Sequence, residues 1–592
     1  MGFKDLHEFI DHLEANNELV RIRKPVSPDQ EITIIQHRVI AEKGPALLFE
    51  NVKGSSFPIV TNLFGTRRRV NMVFHGQPEA VGERIVELAH AVMPPSISGL
   101  WRVRRQLISL TAARLKKGRS GPVLENRMMP PDLTRLPVLT CWPEDGGPFI
   151  TLPIVQTVDP EDGRANIGMY RLQRYGAQST GMHWQIEKGG GFHFHRAAGF
   201  GRPLPVSVIL GGPPSLIIAA IAPMPEGLDE RLLSALIMGE PLEVIIRQRT
   251  GHGIPAGAEF LIEGTVTAGD EQMEGPFGDH LGYYSNAASY PVFRVSSIHA
   301  RKNAIYPATI VGKPVQEDYY IGEALQKMAL PLLQLIRPAV YDLWAYPETG
   351  FHPLAVISVR QSYEYEALKH VMGMLGEGQV SLTKVMIAVG EEVDVKDFRA
   401  VSRAVWQYLD PESDIHLISP TAQDTLDFTG PRMNVGSRLI LLANRHDTPG
   451  NRNRILPPSP PPGREVDENI ICLSTMGPAF LMVKTRDDVM DINRVQSALA
   501  ANSITRQYLF HILASEDVPL TDDVMTLWGW FTRFDPNRDL HPAQRRIAGN
   551  RIVFEPPILI DARWKKGYPK PVEFDPALAK KVAADWHGYE IS

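Results

Sequence analysis

Three apolar runs set the fold class of the middle of this chain: Phe149-Ile-Thr-Leu-Pro-Ile-Val155, Leu204-Pro-Val-Ser-Val-Ile-Leu210 and Phe260-Leu-Ile-Glu-Gly-Thr-Val266. Each is short, rich in Ile, Val and Thr, and punctuated by Gly and Pro, as strands are. Between about 150 and 310 such runs recur with few convincing helices, which predicts a β-barrel assigned to residues 126–315. One helix is expected to interrupt it, around Glu230 to Met238.

Upstream, Leu6, Phe9, Ile10 and Leu13 recur at helical spacing before the strand-like Leu19-Val-Arg-Ile22. A second helix is predicted near 78–92. A third is predicted near 103–117, ending in Lys116-Lys117-Gly118, cations and a glycine suited to a helix C-terminus. Residues 1–125 therefore read as a small α+β domain, and Met129-Pro-Pro131 to Leu136-Pro137 as a linker.

Downstream the pattern is α/β, over 316–455. Lys384 to Val393 reads as a strand, and Asp397 to Leu409 as a helix. Shifted by 125 residues (391 to 516), Glu391, Val393, Asp397, Asp410, Pro411, Asp414 and His416 meet Glu516, Val518, Asp522, Asp535, Pro536, Asp539 and His541. Either two unrelated βα units coincide or a βα module is duplicated, with 465–592 as the second copy after the Pro-rich Leu456 to Gly463. The expected class is thus α+β multidomain.

The 592 residues exceed one typical core, and 43% apolar with 22% charged residues is an ordinary globular composition. A net charge of -5 without a basic block argues against nucleic acid as partner. Cys141 and Cys472 are the only cysteines, so neither a disulfide framework nor a thiolate cluster is available. The first residues match neither a secretory signal nor a myristoylation motif, and the apolar runs are too short to span a bilayer. The chain reads as a soluble, cytoplasmic protein with at most peripheral membrane contact.

Two segments carry chemistry. Asn166-Ile-Gly-Met-Tyr-Arg171 places an amide oxygen and a guanidinium five residues apart, and Glu274-Gly-Pro-Phe-Gly-Asp279 places two carboxylates around a bend. An arginine with two acids suits acid/base chemistry on a carboxylate substrate, because the guanidinium fork grips it while one acid moves a proton. The competing reading of Gly-Pro-Phe-Gly is an ordinary turn with solvated flanking acids.

With Met182-His-Trp184, Pro225-Glu-Gly-x-x-Glu230 and the continuation Asp279-His-x-Gly-Tyr-Tyr284 in the same order, the chain resembles the UbiD-type decarboxylases over roughly residues 1–445. The resemblance implies a carboxy-lyase that uses prenylated FMN to remove CO2 from an aromatic or α,β-unsaturated acid. It implies a central split β-barrel of flavin-reductase-like type. Asn166, His183 and Glu230 would hold manganese against the cofactor phosphate, with potassium as a further ion. Glu226 competes with Glu230, which is preferred for its distance to Glu274 and its place at a helix start.

Met169, Tyr170, Arg171, His183, Trp184, Gln185, Lys188 and Gly189 would line the flavin, and Lys384 would reach the phosphate. Arg171 would polarise the substrate carboxylate, Glu274 would donate the proton, and Asp279 would share the network. Aspartate at the last position resembles the quinone-pathway branch, with a polyprenyl hydroxybenzoate or naphthoate as substrate. A soluble aromatic acid is the other candidate, and a non-catalytic flavin-binding or assembly subunit the competing class. His193 and His195 alternate as on one strand face and read as structural. A flavin prenyltransferase would supply the cofactor. The second copy has Leu509 where the first has Lys384, so it is free to bury apolar surface against its own chain or at a subunit interface, and a homo-oligomer whose assembly depends on residues after about 465 is expected.

Overall fold

The helix Leu6–Ala15 starts where the Asp5 carboxylate accepts the Glu8 N–H at 2.9 Å, and it buries Leu6, Phe9, Ile10 and Leu13. Such a cap satisfies one of the amides that every helix start leaves open. The protein is described from a computed structural model covering residues 2–92, 101, 113–184, 189–224, 227–444, 454–486 and 491–591. It forms two compact units, Met1–Pro331 together with Lys570–Ser592, and Leu332–Pro569.

In the first unit Leu19–Ile22, Ala46–Phe49 and Ile59–Thr61 join the distant Tyr306–Pro307 in a four-stranded sheet. The helix Glu79–Val92 forms where the apolar spacing places it. The helix expected over 103–117 is corrected at its end: Leu115–Gly118 is a strand, parallel to Leu242–Ile246. Pairing with that buried strand overrides the local Lys-Lys-Gly signal; residues 103–112 lie outside those described.

The central element is a seven-stranded sheet. Its order is Ser179–Gly181, Ala288–Ala300, Phe260–Glu274, Leu204–Leu210, Ile154–Val158 and Ala165–Met169, with Asn126–Met128 added against Ala288–Ala300. No pairing joins its two ends among the described residues, so the sheet is open. Among the described residues three helices, not one, interrupt it: Gly189–Gly199, Pro214–Ile221 and Glu230–Met238. His193 and His195 accordingly ride on a helix, not on a strand. The Phe-His-Phe-His alternation mimics a strand, but His193 and Ala197, four apart, are the positions that pack inward.

The second unit holds two five-stranded sheets of identical order and sense. One runs Val340–Ala345, Leu354–Val359, Val385–Gly390, Val435–Ala443, Ile415–Ala422; the other runs Ile470–Thr475, Phe480–Thr485, Phe510–Ala514, Arg551–Ala562, Leu540–Ala548. In each, two parallel pairings lie between antiparallel edges. Asp397 and Asp522 cap equivalent helices. Asp410 N–H donates to Asp414 at 2.9 Å as Asp535 N–H does to Asp539 at 2.8 Å. Val385, Ile387 and Leu439 of the first sheet share one core with Phe480, Phe510, Ile512 and Ile560 of the second. The second sheet thus buries apolar surface against its own chain.

Burial pushes both His252 and His511 down to about 4. Each stays neutral when folded, whereas the unfolded chain takes up a proton below about pH 6.5. These two groups therefore cost stability as the pH drops from about 6.5 towards 4, by at most about 1.4 kcal/mol per pH unit each, while the raised Glu230 and Asp145 carboxyls add stability over much of the same range. We expect the Tm of His511→Gln to fall less, or rise more, than that of the wild type between pH 7 and pH 5. An unchanged slope in that variant would remove His511 from the explanation. No helix among the described residues is long and apolar enough to cross a membrane.

Candidate active site

Arg171 leaves the strand Ala165–Met169 at the point where the chain turns toward Leu172–Gln173. Each of its three guanidinium nitrogens donates one hydrogen bond, which leaves a further N–H on both Nη1 and Nη2. Nε donates to Glu274 Oε1 at 3.1 Å, Nη2 to Ser285 Oγ at 2.9 Å, and Nη1 to Asp279 Oδ2. Its face lies over the Phe277 ring, 4.6 Å from the centroid. Glu274 closes the long strand Phe260–Glu274, and Asp279 follows the short strand Phe277–Gly278. The bend between them turns at Gly275, whose φ of 91° is open to glycine at little cost. The side chains of Arg171, Glu274 and Asp279 are 9%, 0% and 13% exposed, so the acids are not solvated turn flanks.

His183 completes this cluster. Its Nδ1 lies 2.8 Å from Glu274 Oε1, and its ring packs 4.4 Å from Tyr290. Burial and the Arg171 charge push His183 down, against the pull of Glu274, so the neutral ring donates from Nδ1 and leaves Nε2 as a lone pair. Burial works against the Asp279 carboxylate, but Arg171 and His280 hold it well below the usual carboxylate range. Two buried atoms of the cluster have no hydrogen-bond partner, Glu274 Oε2 and His183 Nε2. Orphaned acceptors of this kind are costly unless a ligand meets them.

A Cβ on Gly181 would stand 2.8 Å from Glu274 Oε2 and 2.8 Å from Tyr175 Oη. Both neighbours are confined, so Gly181→Ala must displace Glu274. We expect at least a tenfold loss of kcat with a Tm change of a few degrees; unaltered kcat would show that Glu274 has room to shift.

A second group lies around Asn166. Asp229 caps the helix Glu230–Met238 and grips Arg231 at 2.6 Å, which fixes the first turn; Ile167 N–H, beside Asn166, donates to Glu230 Oε2 at 3.0 Å. Burial pushes the Glu230 carboxyl up to about 7. Tyr170 Oη accepts the Gly190 N–H at 3.2 Å, while its ring meets Trp184 edge-on at 5.3 Å. Asn166 Nδ2 and Trp184 Nε1 are buried and unpartnered. Met169 is half-buried at the same strand end. A Cβ on Gly189 would come within 2.2 Å of Asn166 Oδ1, and one on Gly190 within 2.4 Å of the Trp184 ring. These glycines let the helix start close against the strand.

The structure thus gathers Arg171, Glu274, Asp279 and His183 in one network, and Asn166, Tyr170, Trp184, Gly189 and Glu230 in another. Lys384 is buried in the second unit, its ammonium 2.8 Å from Asp427 Oδ2 and over the Phe534 ring. Gln185, Lys188 and Glu226 lie outside the described residues. Among the described residues no three His, Cys, Asp or Glu side chains converge as a metal cage. A cation at Asn166 and Glu230 would therefore draw further oxygens from a bound anion.

Sequence reasoning missed Ser285, Tyr290 and Asp145. Asp145 accepts the Cys141, Trp142 and Gly278 N–H groups at 3.0, 2.9 and 2.8 Å, and burial pushes it up to about 6. Ser285 directly follows the recognised motif and was within reach of pattern reading. Tyr290 and Asp145 arrive through strand and loop packing, which no local signal encodes.

The N-terminal, Rift-related and C-terminal domains of 3-octaprenyl-4-hydroxybenzoate carboxy-lyase match residues 10–89, 114–314 and 319–443. The chain belongs to the UbiD family of carboxy-lyases. It is 40% identical over 587 residues to a subunit of the 4-hydroxybenzoate decarboxylase of Chlamydia pneumoniae, covering 99% of this chain and 98% of that one. It is 38% identical over 448 residues to a protein of Archaeoglobus fulgidus, covering 75% of this chain and 92% of the other. Among solved structures, the UbiD-class enzyme HmfF from Pelotomaculum thermopropionicum in complex with FMN superposes with a TM-score of 0.63 at 28% identity, over 78% of this chain and 98% of that one. The vanillic acid decarboxylase of Sedimentibacter hydroxybenzoicus shares the fold, with a TM-score of 0.67 at 24% identity over 79% of this chain and 98% of that one.

Proposed function

We propose that this chain removes CO2 from an aromatic hydroxy acid with prenylated FMN as cofactor, its central sheet serving as the split barrel that carries the flavin. The observation that supports it most is the buried Arg171–Glu274–Asp279–His183 network, with Glu274 Oε2 left for a reacting group. The fit of the cofactor rests on the close glycine start of the helix Gly189–Gly199 and on a buried Glu230 carboxylate. Asn166, Glu230 and the open Nε2 of His183 are assigned to manganese, the other nitrogen of His183 being held by a carboxylate as ligating histidines usually are. Tyr170 and Trp184 are assigned to the flavin. The phosphate role of Lys384 requires it to exchange Asp427.

Prenylated FMN, when bound, supplies the electron sink that a departing CO2 requires and that no side chain offers. Arg171 orients and polarises the substrate carboxylate with a fork that Phe277 holds flat. Breaking the C–C bond leaves an electron pair on the ring carbon. Glu274 delivers the proton that forms the new C–H bond, and water restores it. Asp279, held ionised by Arg171, is the poorer proton carrier and fixes the guanidinium. Burial of the cluster keeps bulk water from the reacting carbon.

One observation favours a second assignment of the donor. Asp279 is the more exposed acid, at 13% against 0% for Glu274. Glu274→Gln and Asp279→Asn, each cofactor-loaded, separate the two by proton-transfer rate. The substrate class is tested by co-expression with a flavin prenyltransferase, the proposed cofactor supplier, followed by a screen of aromatic acids for CO2 release or deuterium exchange. 4-Hydroxybenzoate and a polyprenylated hydroxybenzoate are the discriminating probes, the latter placing the reaction on a quinone pathway. No turnover of any aromatic acid by flavin-loaded chain would favour a non-catalytic role. Light scattering of the same sample tests the homo-oligomer.

A further inference from the structure

The end of the chain does not stay with the unit it leaves. After Pro569 it returns to the first unit and lies along the segment between Asp279 and Ser285. Tyr284 N–H donates to the Lys570 carbonyl at 3.0 Å, Val572 N–H donates to the Gly282 carbonyl at 2.9 Å, and Tyr283 bridges Pro571 between them. These bonds make a short antiparallel ladder with the loop. Within the loop, Asp279 N–H donates to the Tyr283 carbonyl at 3.0 Å and Gly282 N–H to the Asp279 carbonyl at 2.8 Å.

The two ends of that loop are the groups Arg171 holds. Nη1 takes Asp279 and Nη2 takes Ser285, while the tail pairs with the backbone midway. Val572 is 2% exposed, and a Cβ placed on Gly278 would meet its Cγ1 at 2.8 Å, so its side chain packs against the residue before Asp279. Phe574 stacks on Trp142 at 5.0 Å, and Trp142 N–H is held by the Asp145 carboxylate that also takes Gly278 N–H. Farther on, Asp575 caps the helix Pro576–Ala584, and Tyr589 Oη lies 2.9 Å from Glu31 Oε1. Lys24 reaches Asp585 at 3.1 Å, and Arg38 covers the Trp586 ring at 3.9 Å. The tail is anchored on both sides of the ladder.

We infer that Lys570–Phe574 is a positioning strand for the reacting cluster, with Val572 as its central residue. The strand acts through the backbone: it sets the path of the segment that carries Asp279 and Ser285, and through them the angle of the Arg171 fork. The loop is otherwise a two-stranded hairpin held by its own backbone bonds and the Arg171 fork; the tail adds two backbone bonds from outside it, and displacement by an ångström is costly in catalysis. This inference rests on reading Arg171, Glu274 and Asp279 as the reacting groups.

The test uses the full-length, flavin-loaded chain with 4-hydroxybenzoate and the wider acid panel. Val572→Pro keeps apolar bulk but deletes the N–H that Gly282 accepts, and Val572→Ile keeps both. We expect at least a tenfold fall in kcat for Val572→Pro with KM within about twofold, unchanged flavin content, and amide exchange accelerated in 279–285 alone. Val572→Ile should behave as wild type. Wild-type kcat in a folded Val572→Pro would overturn the inference, as would a loss of kcat in Val572→Ile equal to that in Val572→Pro. If Val572→Pro does not fold, Val572→Ala, which removes the packing on Gly278, must show the same kcat-specific loss to a smaller degree. Glu274→Gln is run in parallel: wild-type turnover there would sink the reading of the site, and exchange in 279–285 then decides the strand alone, with unaltered protection in Val572→Pro overturning it.

Discussion

Replacing Glu274 by Gln is expected to lower turnover at least about a hundredfold while leaving the flavin bound. Gln keeps the length and one acceptor oxygen for Arg171 Nε and His183 Nδ1, both of which meet Oε1. What it removes is the transferable proton, and its amide presents donors to whatever meets the orphaned Oε2. A hundredfold loss corresponds to about 2.7 kcal/mol of transition-state stabilisation. The diagnostic pattern is a fall in kcat with flavin absorbance and Tm near wild type. Turnover within a factor of about three of wild type would take Glu274 out of the chemistry, and the same assay on Asp279→Asn would then carry the donor role.

Changing Glu230 to Ala should empty the cofactor site without unfolding the protein. The Glu230 carboxylate takes the amide of Ile167, the residue beside Asn166, and stands at a helix start. Without it, a cation bridging to a phosphate loses its protein-borne negative charge. The purified variant should contain less than about a tenth of the wild-type metal and flavin, a loss of the size expected when an anionic ligand is deleted. Metal analysis and flavin absorbance on one preparation decide it. Full occupancy of both would show that the cation lies elsewhere, with Glu226 the next residue to change.

The parts of this fold that were legible were those in which one local pattern and one tertiary outcome agree. Leu6, Phe9, Ile10 and Leu13 predict a helix and are its buried face. Glu230 to Met238 begins at a capping aspartate and ends at Gly239 in the left-handed region, a start and stop that sequence states openly. The matched aspartates 125 residues apart foreshadow two sheets of one topology, since each pair closes the same backbone turn.

Where a strand owes its existence to a distant partner the sequence was silent. Leu115–Gly118 is a strand because Leu242–Ile246 lies beside it, and Lys116-Lys117-Gly118 on its own argued for a helix end. The same limit applied to the site. Arg171, Glu274 and Asp279 were visible through motifs, and Ser285 adjoins one. Tyr290, Gly181 and Asp145 enter only through packing. The expectation that the second α/β module buries apolar surface against its own chain or at a subunit interface finds its first alternative in the core shared with the first sheet, whereas the return of the chain to the loop after Asp279 had no local signal.

That return orders events during synthesis. The first unit draws on two stretches far apart in the chain, and the segment beside Asp279 is made only after the second unit that separates them. At roughly 5–20 residues per second, the 238 residues from Leu332 to Pro569 (569 − 331) take on the order of 12–48 s to emerge. Throughout that interval the carboxylate loop exists without its neighbouring segment. A nascent chain can fold its sheets early, but the loop that carries Asp279 gains its partner backbone only once the second unit has been synthesised.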